Sequence, residues 1–92
     1  MQRDALSYAL YLLQKRDYSV GDLLYKLKIK GFETPEIDKT IEILIQKNFL
    51  DDKRYAEKLV WNHLEYKKSS TRKILFELSR HKIKKIDYPP SL

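Results

Sequence analysis

Ninety-two residues and 11.1 kDa allow one compact domain or a short array of helical units, and leave no room for a barrel or a doubly wound sheet. The chain has no cysteine, which excludes disulfide frameworks, thiolate zinc sites and cysteine nucleophiles, and its two glycines and three prolines are too few for the hairpins of an all-β fold. Nineteen Lys and Arg against thirteen Asp and Glu give a net charge of +6, which points toward an acidic partner.

Helical periodicity runs through the chain. The first segment spans about Arg3 to Lys15, with Ala5, Leu6, Ala9, Leu10, Leu12 and Leu13 recurring at i, i+3/i+4, and Arg16-Asp17-Tyr18 interrupts it. Ser19 is the expected N-cap of a second helix, with Asp22 three residues on as a short-armed capping box. Val20, Leu23, Leu24 and Leu27 form its stripe. Gly31 suits the position after it, where positive φ is free of a Cβ clash, and Phe32 closes the cap. Thr34-Pro35 predicts a third helix opening on a hydroxyl N-cap and a first-turn proline, with Glu36 and Asp38 matched to the helix dipole. Its stripe is Ile37, Ile41, Leu44 and Ile45, and Asn48 ends it. Asp51 is the expected N-cap of a fourth helix that reaches Tyr66 through Ala56, Leu59, Val60 and Leu64, with Asp52 adding first-turn charge. Ser69 or Ser70 caps a fifth helix carrying Ile74, Leu75 and Leu78. No helix continues past Pro89, so residues 86–92 are expected to fray.

A shift of 51 residues brings the chain into register with itself. Ala5 meets Ala56, Leu13 meets Leu64, Ser19 meets Ser70, Leu23 meets Ile74, Leu27 meets Leu78 and Phe32 meets Ile83. The expected fold is therefore all-α and built of tandem three-helix repeats in a right-handed or elongated helical array of about five helices. Residues 1–50 make a complete repeat, residues 51–85 the first two helices of a second, and 86–92 a tail. A third helix of the second unit would begin near Lys85 and need about four turns, so the sequence reads as one and two-thirds units, a piece of a longer protein or a shortened one.

Charge follows the same division. Residues 1–46 hold seven basic and seven acidic side chains; residues 47–92 hold twelve and six. The excess is densest over Lys67, Lys68, Arg72, Lys73, Arg80, Lys82, Lys84 and Lys85, which face only Glu77. These eight are the candidate nucleic-acid- or filament-binding residues. Ser69, Ser70 and Thr71 add hydroxyls at a helix N-terminus, a setting suited to phosphate. Trp61 and Phe76 are the candidate partner contacts, because Phe76 projects away from the Ile74/Leu78 stripe, where the missing third helix or a partner would cover it.

Catalytic chemistry has no support. His63 and His81 lie on different helices without the spacing of a metal site and read as partly exposed helix residues, and no glycine-rich phosphate loop or nucleophile–base pattern occurs. No enzyme, cofactor, metal or small-molecule substrate is expected. No signal peptide or membrane-spanning run is visible, so a soluble cytoplasmic protein is the expectation.

Several stretches together resemble the RecX family of bacterial regulatory proteins. They are Ala9 to Ser19, Asp22-Leu23 with Leu27, Lys30-Gly31-Phe32, then Ile37, Ile41 and Leu44, and the run Phe49-Leu50-Asp51-Asp52-Lys53-Arg54-Tyr55-Ala56. Their order holds over about residues 5–83. Where the family commonly has glycine before the fifth helix this chain has Lys67-Lys68-Ser69-Ser70, and where it often has glycine before the following isoleucine this chain has His81-Lys82-Ile83. The resemblance implies tandem three-helix repeats and a modulator of the RecA recombinase, one that binds the RecA filament on DNA and limits strand exchange and co-protease activity. Single- or double-stranded DNA is then a possible second partner. Two other expectations remain open: a stand-alone basic helical module that binds nucleic acid, and an interaction fragment whose open second repeat is completed by another chain.

Overall fold

The computed structural model describes residues 3–90 and Leu92. Among them five α-helices follow one another with no strand: α1 (Ala5–Lys15), α2 (Val20–Lys30), α3 (Thr34–Gln46), α4 (Asp52–Asn62) and α5 (Thr71–Arg80). A π-helical turn, His63–Lys67, extends α4, and a single 3-10 turn, Lys85–Asp87, follows α5.

Four of the five helices start on a side-chain cap. Asp4, Ser19, Asp51 and Ser70 accept from the N–H three residues on, at 2.8 Å, 3.1 Å, 3.1 Å and 3.3 Å. The fifth departs from expectation. α3 begins at Thr34 rather than after it, Glu33 occupies the cap position without a side-chain hydrogen bond, and Pro35 stands in the first turn. Proline is tolerated there because first-turn N–H groups have no intrahelical acceptor in any case. The Glu36 carboxylate instead accepts from the Ala5 N–H at 2.9 Å, so the first turn of α3 satisfies the first turn of α1.

The apolar stripes meet in two separate cores. In the first unit Ala9, Leu12, Tyr18, Leu23, Leu27, Ile37, Ile41, Leu44 and Leu50 pack together. In the second, Ala56, Val60, Ile74, Leu78 and Ile83 form a smaller cluster between α4 and α5. The two units lie end to end in a body of 45 × 23 × 21 Å. This is the all-α, tandem three-helix architecture that the periodicity and the 51-residue echo predict, with no third helix in the second unit among the described residues.

The echo extends to backbone detail. Gly31 and Lys82 are equivalent, and both have positive φ, +107° and +63°. The N–H after each returns to the equivalent carbonyl, Phe32 to Leu27 at 3.3 Å and Ile83 to Leu78 at 3.0 Å, the closure typical of a left-handed helix C-terminus. The departure from glycine at Lys82 thus keeps the turn and places a β-carbon where a left-handed backbone disfavours one.

Within the segment that the sequence marks as a tail, the structure gives residues 85–90 a definite path. The 3-10 turn starts at Lys85, the counterpart of Thr34, and packs on α4 as α3 packs on α1. Tyr88, the counterpart of the buried Ile37, packs against the second core, and Pro89 is buried. Tyr88 is extended, with φ −67° and ψ 138°. Proline disfavours helical geometry in the residue before it and cannot donate to the preceding turn. Pro89-Pro90 therefore stops a third helix after its first turn. Ser91 lies outside the described residues.

The units are joined where the N-terminus of α2 meets the C-terminal turn of α5. A β-carbon added to Gly21 would stand 2.6 Å from Lys82 Cβ and 2.8 Å from its Cδ, closer than packed atoms allow. Gly21→Ala is accordingly expected to destabilise by about 1–3 kcal/mol through overpacking. In a Lys82→Gly background the same change should become neutral or favourable, since alanine exceeds glycine in helix propensity by about 1 kcal/mol. A double-mutant cycle by urea denaturation checks this; additive effects would place the two residues out of contact.

Candidate functional site

Three surfaces of the second unit carry groups that the fold itself does not fully use. The first is basic. Lys67 and Lys68 end the π-helical turn and Arg72 and Lys73 lie in the first turn of α5, so these four exposed cations share one end of that helix. Among the described residues none of the four is ion-paired. Lys82, Lys84 and Lys85 lie past the other end of α5, about 15 Å away along a ten-residue helix. Arg80 is engaged internally, its guanidinium 3.2 and 2.8 Å from Glu77. Lys82 stands 3.5 Å from Asp22 and 5.3 Å from the Tyr25 ring. The structure thus brings together four of the eight candidate basic residues at one pole, pairs Arg80 within α5 and places Lys82 at the joint. Two of the three hydroxyls suggested for phosphate are also committed: Ser70 caps α5, and Ser69 Oγ lies 2.8 Å from His63 Nδ1.

The second surface is a shallow polar cleft at the joint, lined by Asp17, Tyr55, His63, Glu77, Arg80 and His81. Its centre is His81. Asp22 Oδ2 lies 2.6 Å from His81 Nδ1, and the Tyr55 hydroxyl lies 3.2 Å from the same nitrogen. A carboxylate can only accept, so Nδ1 carries a proton; Arg80 Nη2, which can only donate, approaches Nε2 at 3.2 Å. The Ser19 hydroxyl donates to the His81 carbonyl at 2.6 Å, and the Val20 N–H donates to Asp52 Oδ1 at 2.8 Å. Asp51 caps α4 as expected, but Asp52 reaches across to α2. Burial pushes the Asp52 carboxyl above the usual range, and the Val20 N–H, which favours the carboxylate, works against that shift.

The two histidines are therefore structural rather than merely half-exposed. His63 is enclosed at 4 % exposure, and its carbonyl accepts from both Lys68 and Ser69 where the π-helical turn closes. Burial, and next the charge of Lys67, hold its imidazole below the ordinary value of 6.5, with Lys73 adding to this and Glu77 opposing. A base depressed in the folded chain favours folding while neutral, and that contribution is lost as the unfolded chain takes up its proton. Stability is expected to fall as pH drops from about 7 to 5. His63→Gln should flatten that part of the profile; thermal melts of both proteins across this range check it. An unchanged slope in the variant would assign the pH dependence to other groups. Among the described residues no cluster of three or more metal-ligating side chains occurs.

The third surface is apolar. Trp61, Leu64 and Phe76 are 58 %, 46 % and 62 % exposed, and Leu75 is 39 % exposed. Phe76 is the counterpart of Tyr25, which is 55 % exposed although α3 is in place. Exposure at this position is thus common to both units. Trp61 differs: its counterpart, Leu10, packs against the first core.

Sequence reasoning passed over Asp22, Asp52 and His81 as elements of a joint. Their partners lie 59, 32 and 62 residues away in the chain, beyond the reach of any helical period. The one signal available was His81-Lys82 standing in place of a glycine-bearing turn.

Comparison with known proteins bears on the fold and the family. A model of the first three-helix domain of RecX matches residues 5–44. A regulatory protein RecX from Vibrio parahaemolyticus is 37% identical over 75 residues, which cover 82% of this chain and 48% of that protein. One from Chlorobium limicola is 32% identical over 79 residues, covering 86% and 50%. The crystal structure of RecX from Lactobacillus salivarius superposes with a TM-score of 0.87 at 23% identity, over 90% of this chain and 54% of that one, a likeness of fold. The chain spans about half the length of the curated relatives it matches.

Proposed function

The chain belongs to the RecX family, and from that premise we propose that it regulates the RecA recombinase by seating on the RecA–DNA filament and limiting recombination and co-protease activity. The reading requires binding and no bond-making step. The observation that carries it is the exposed basic pole of Lys67, Lys68, Arg72 and Lys73 on a rod 45 Å long. A narrow helical rod can follow a groove in a filament, and cations free of internal ion pairs are available to phosphate or to acidic protein surface. Among the described residues no helix is long and apolar enough to cross a membrane.

The test is RecA-driven ATP hydrolysis and strand exchange on single-stranded DNA with this chain titrated in. A dose-dependent decrease is expected, and Arg72→Glu with Lys73→Glu should weaken it at least tenfold while leaving the circular dichroism spectrum unchanged. No effect at one chain per RecA protomer would overturn the reading. The alternative, a stand-alone nucleic-acid module, predicts direct DNA binding without RecA. Four engaged phosphates on a single strand would then lower affinity by about 50-fold between 50 and 200 mM salt. That salt response together with an unaffected RecA reaction would favour the alternative.

A further inference from the structure

The two units share no apolar core. The buried cluster of the first ends at Leu50, that of the second begins at Ala56, and no residue belongs to both. The directional contacts across the joint are polar. The Ser19 hydroxyl donates to the His81 carbonyl, Asp22 Oδ2 accepts from His81 Nδ1, and Lys82 Nζ stands 3.5 Å from Asp22 Oδ1. Lys82 also rests on Gly21, which has no side chain to hold it. Toward α4 the Val20 N–H donates to Asp52, Arg54 donates to the Asn48 carbonyl, and Lys58 pairs with Asp17. That last pair is exposed on both partners and contributes little. The contact is also narrow. Clefts of about 290 and 460 Å³ flank it, one lined by Asp17, Tyr55 and His81, the other by Val20, Leu50 and Asp52, so each side leaves space into which a unit can turn. One extended residue links the units. The Phe49 and Leu50 N–H groups return to the Leu44 carbonyl at 2.9 and 3.2 Å, and Leu50 is buried in the first core. α4 starts at Asp52, and Asp51 stands between them with φ −157° and ψ 101°.

We propose that the joint is a hinge with a polar latch: the two units turn as rigid bodies about Asp51, and Ser19, Asp22 and His81 hold them in line. A small polar interface opens at a lower free energy than the cores beside it, because opening exposes little apolar surface. Asp22 is the central member of the latch, since its two carboxylate oxygens meet His81 and Lys82 from one position in the first turn of α2. The repeat shows that a unit does not need this residue for its own fold. The counterpart of Asp22 is Lys73, which is exposed in the first turn of an α5 that forms without it. The latch therefore serves the joint. Turning about Asp51 moves the basic pole relative to the first unit and changes the curvature of the rod, and a groove of set curvature would select among those shapes. That use rests on the proposed contact with the filament; the motion does not, and its test needs no RecA.

The chain has no cysteine, so introduced pairs carry spin labels without competing sites. Lys39→Cys with Ser79→Cys puts one label on α3 and one on α5, both at exposed positions. Gln14→Cys with Lys39→Cys keeps both labels in the first unit. Distances between labels are read by pulsed electron paramagnetic resonance on the whole chain. In Asp22→Ala, and more so in Asp22→Ala with Ser19→Ala, the distribution between the units is expected to broaden at least twofold. The distribution within the first unit, the circular dichroism spectrum and the emission of Trp61, the only tryptophan, should stay as they are. Asp17→Ala, which breaks the exposed pair alone, should leave the width unchanged. An unchanged width in the double variant overturns the proposal. Broadening of equal size within the first unit, or a loss of helicity along with it, overturns it too, since the joint would then open only by unfolding. The same broadening in Asp17→Ala would place the latch at the exposed pair and overturn its assignment to Ser19, Asp22 and His81.

Discussion

Leu78→Ala is expected to cost about 3–5 kcal/mol and to unfold the second unit while the first keeps its helices. Leu78 is fully buried in a cluster of five residues, of which Ala56 is small and only Ile74 is comparably large and fully enclosed. Removing its three terminal carbons leaves a cavity that neighbours on two short helices cannot fill without losing their other contacts. For a domain of this size total stability is about 5–14 kcal/mol, and this cluster holds only a share of it. The loss corresponds to a fall in melting temperature of about 15 °C or more. Trp61 emission reads the second unit, and far-ultraviolet circular dichroism reads both. Separation of the two transitions is expected in Leu78→Ala. Leu27→Ala, at the equivalent place in the nine-residue first core, should instead lower both together. A shift of only one or two degrees in Leu78→Ala would mean that the joint, and not this core, holds the second unit.

Ser19→Ala is expected to cost about 2–4 kcal/mol, against about 1 kcal/mol for Ser70→Ala. The two serines are equivalent in the repeat and each caps its helix, so the cap contribution is common to both. Ser19 differs in being fully buried and in donating to the His81 carbonyl at 2.6 Å across the joint. Its removal takes the donor from a part-buried carbonyl, and the weakened acceptor adds to the lost cap. Ser70 is exposed, so water replaces its hydroxyl. The repeat thus supplies its own control, and chemical denaturation of the two variants measures the difference. Equal losses would show that the hydrogen bond to His81 contributes nothing to holding the units together.

The helices were legible because their determinants are local. Ser19, Asp51 and Ser70 cap the helices they precede, and Gly31 takes the positive φ assigned to it. Each of these acts over three or four residues, the span that a sequence displays directly. The departures arise where one segment serves another. Glu36 caps α1 rather than its own helix, and Asp52 accepts from α2 rather than merely lying near the dipole of α4. Tyr88 holds a segment that composition alone marks as frayed, because the second core offers it the place that Ile37 occupies in the first.

The basic cluster shows the same limit. Eight cations within nineteen residues read as one patch, yet the length of α5 parts them, Arg80 pairs with Glu77 on the same helix and Lys82 reaches Asp22 across the joint. All eight are exposed, but they fall into two groups, Lys67, Lys68, Arg72 and Lys73 at the N-terminal end of α5 and the rest at and beyond its C-terminal end.

The sequence by itself determined the helical class, the caps, the apolar stripes and the doubling of the unit, because periodicity and capping are written in neighbouring residues. The tertiary structure alone decided how the units join, which cations stay free and which apolar residues stay uncovered. Those depend on pairs such as Ser19 with His81 and Gly21 with Lys82. Residues some sixty positions apart meet only after both cores have formed, and no local pattern in the chain records that meeting.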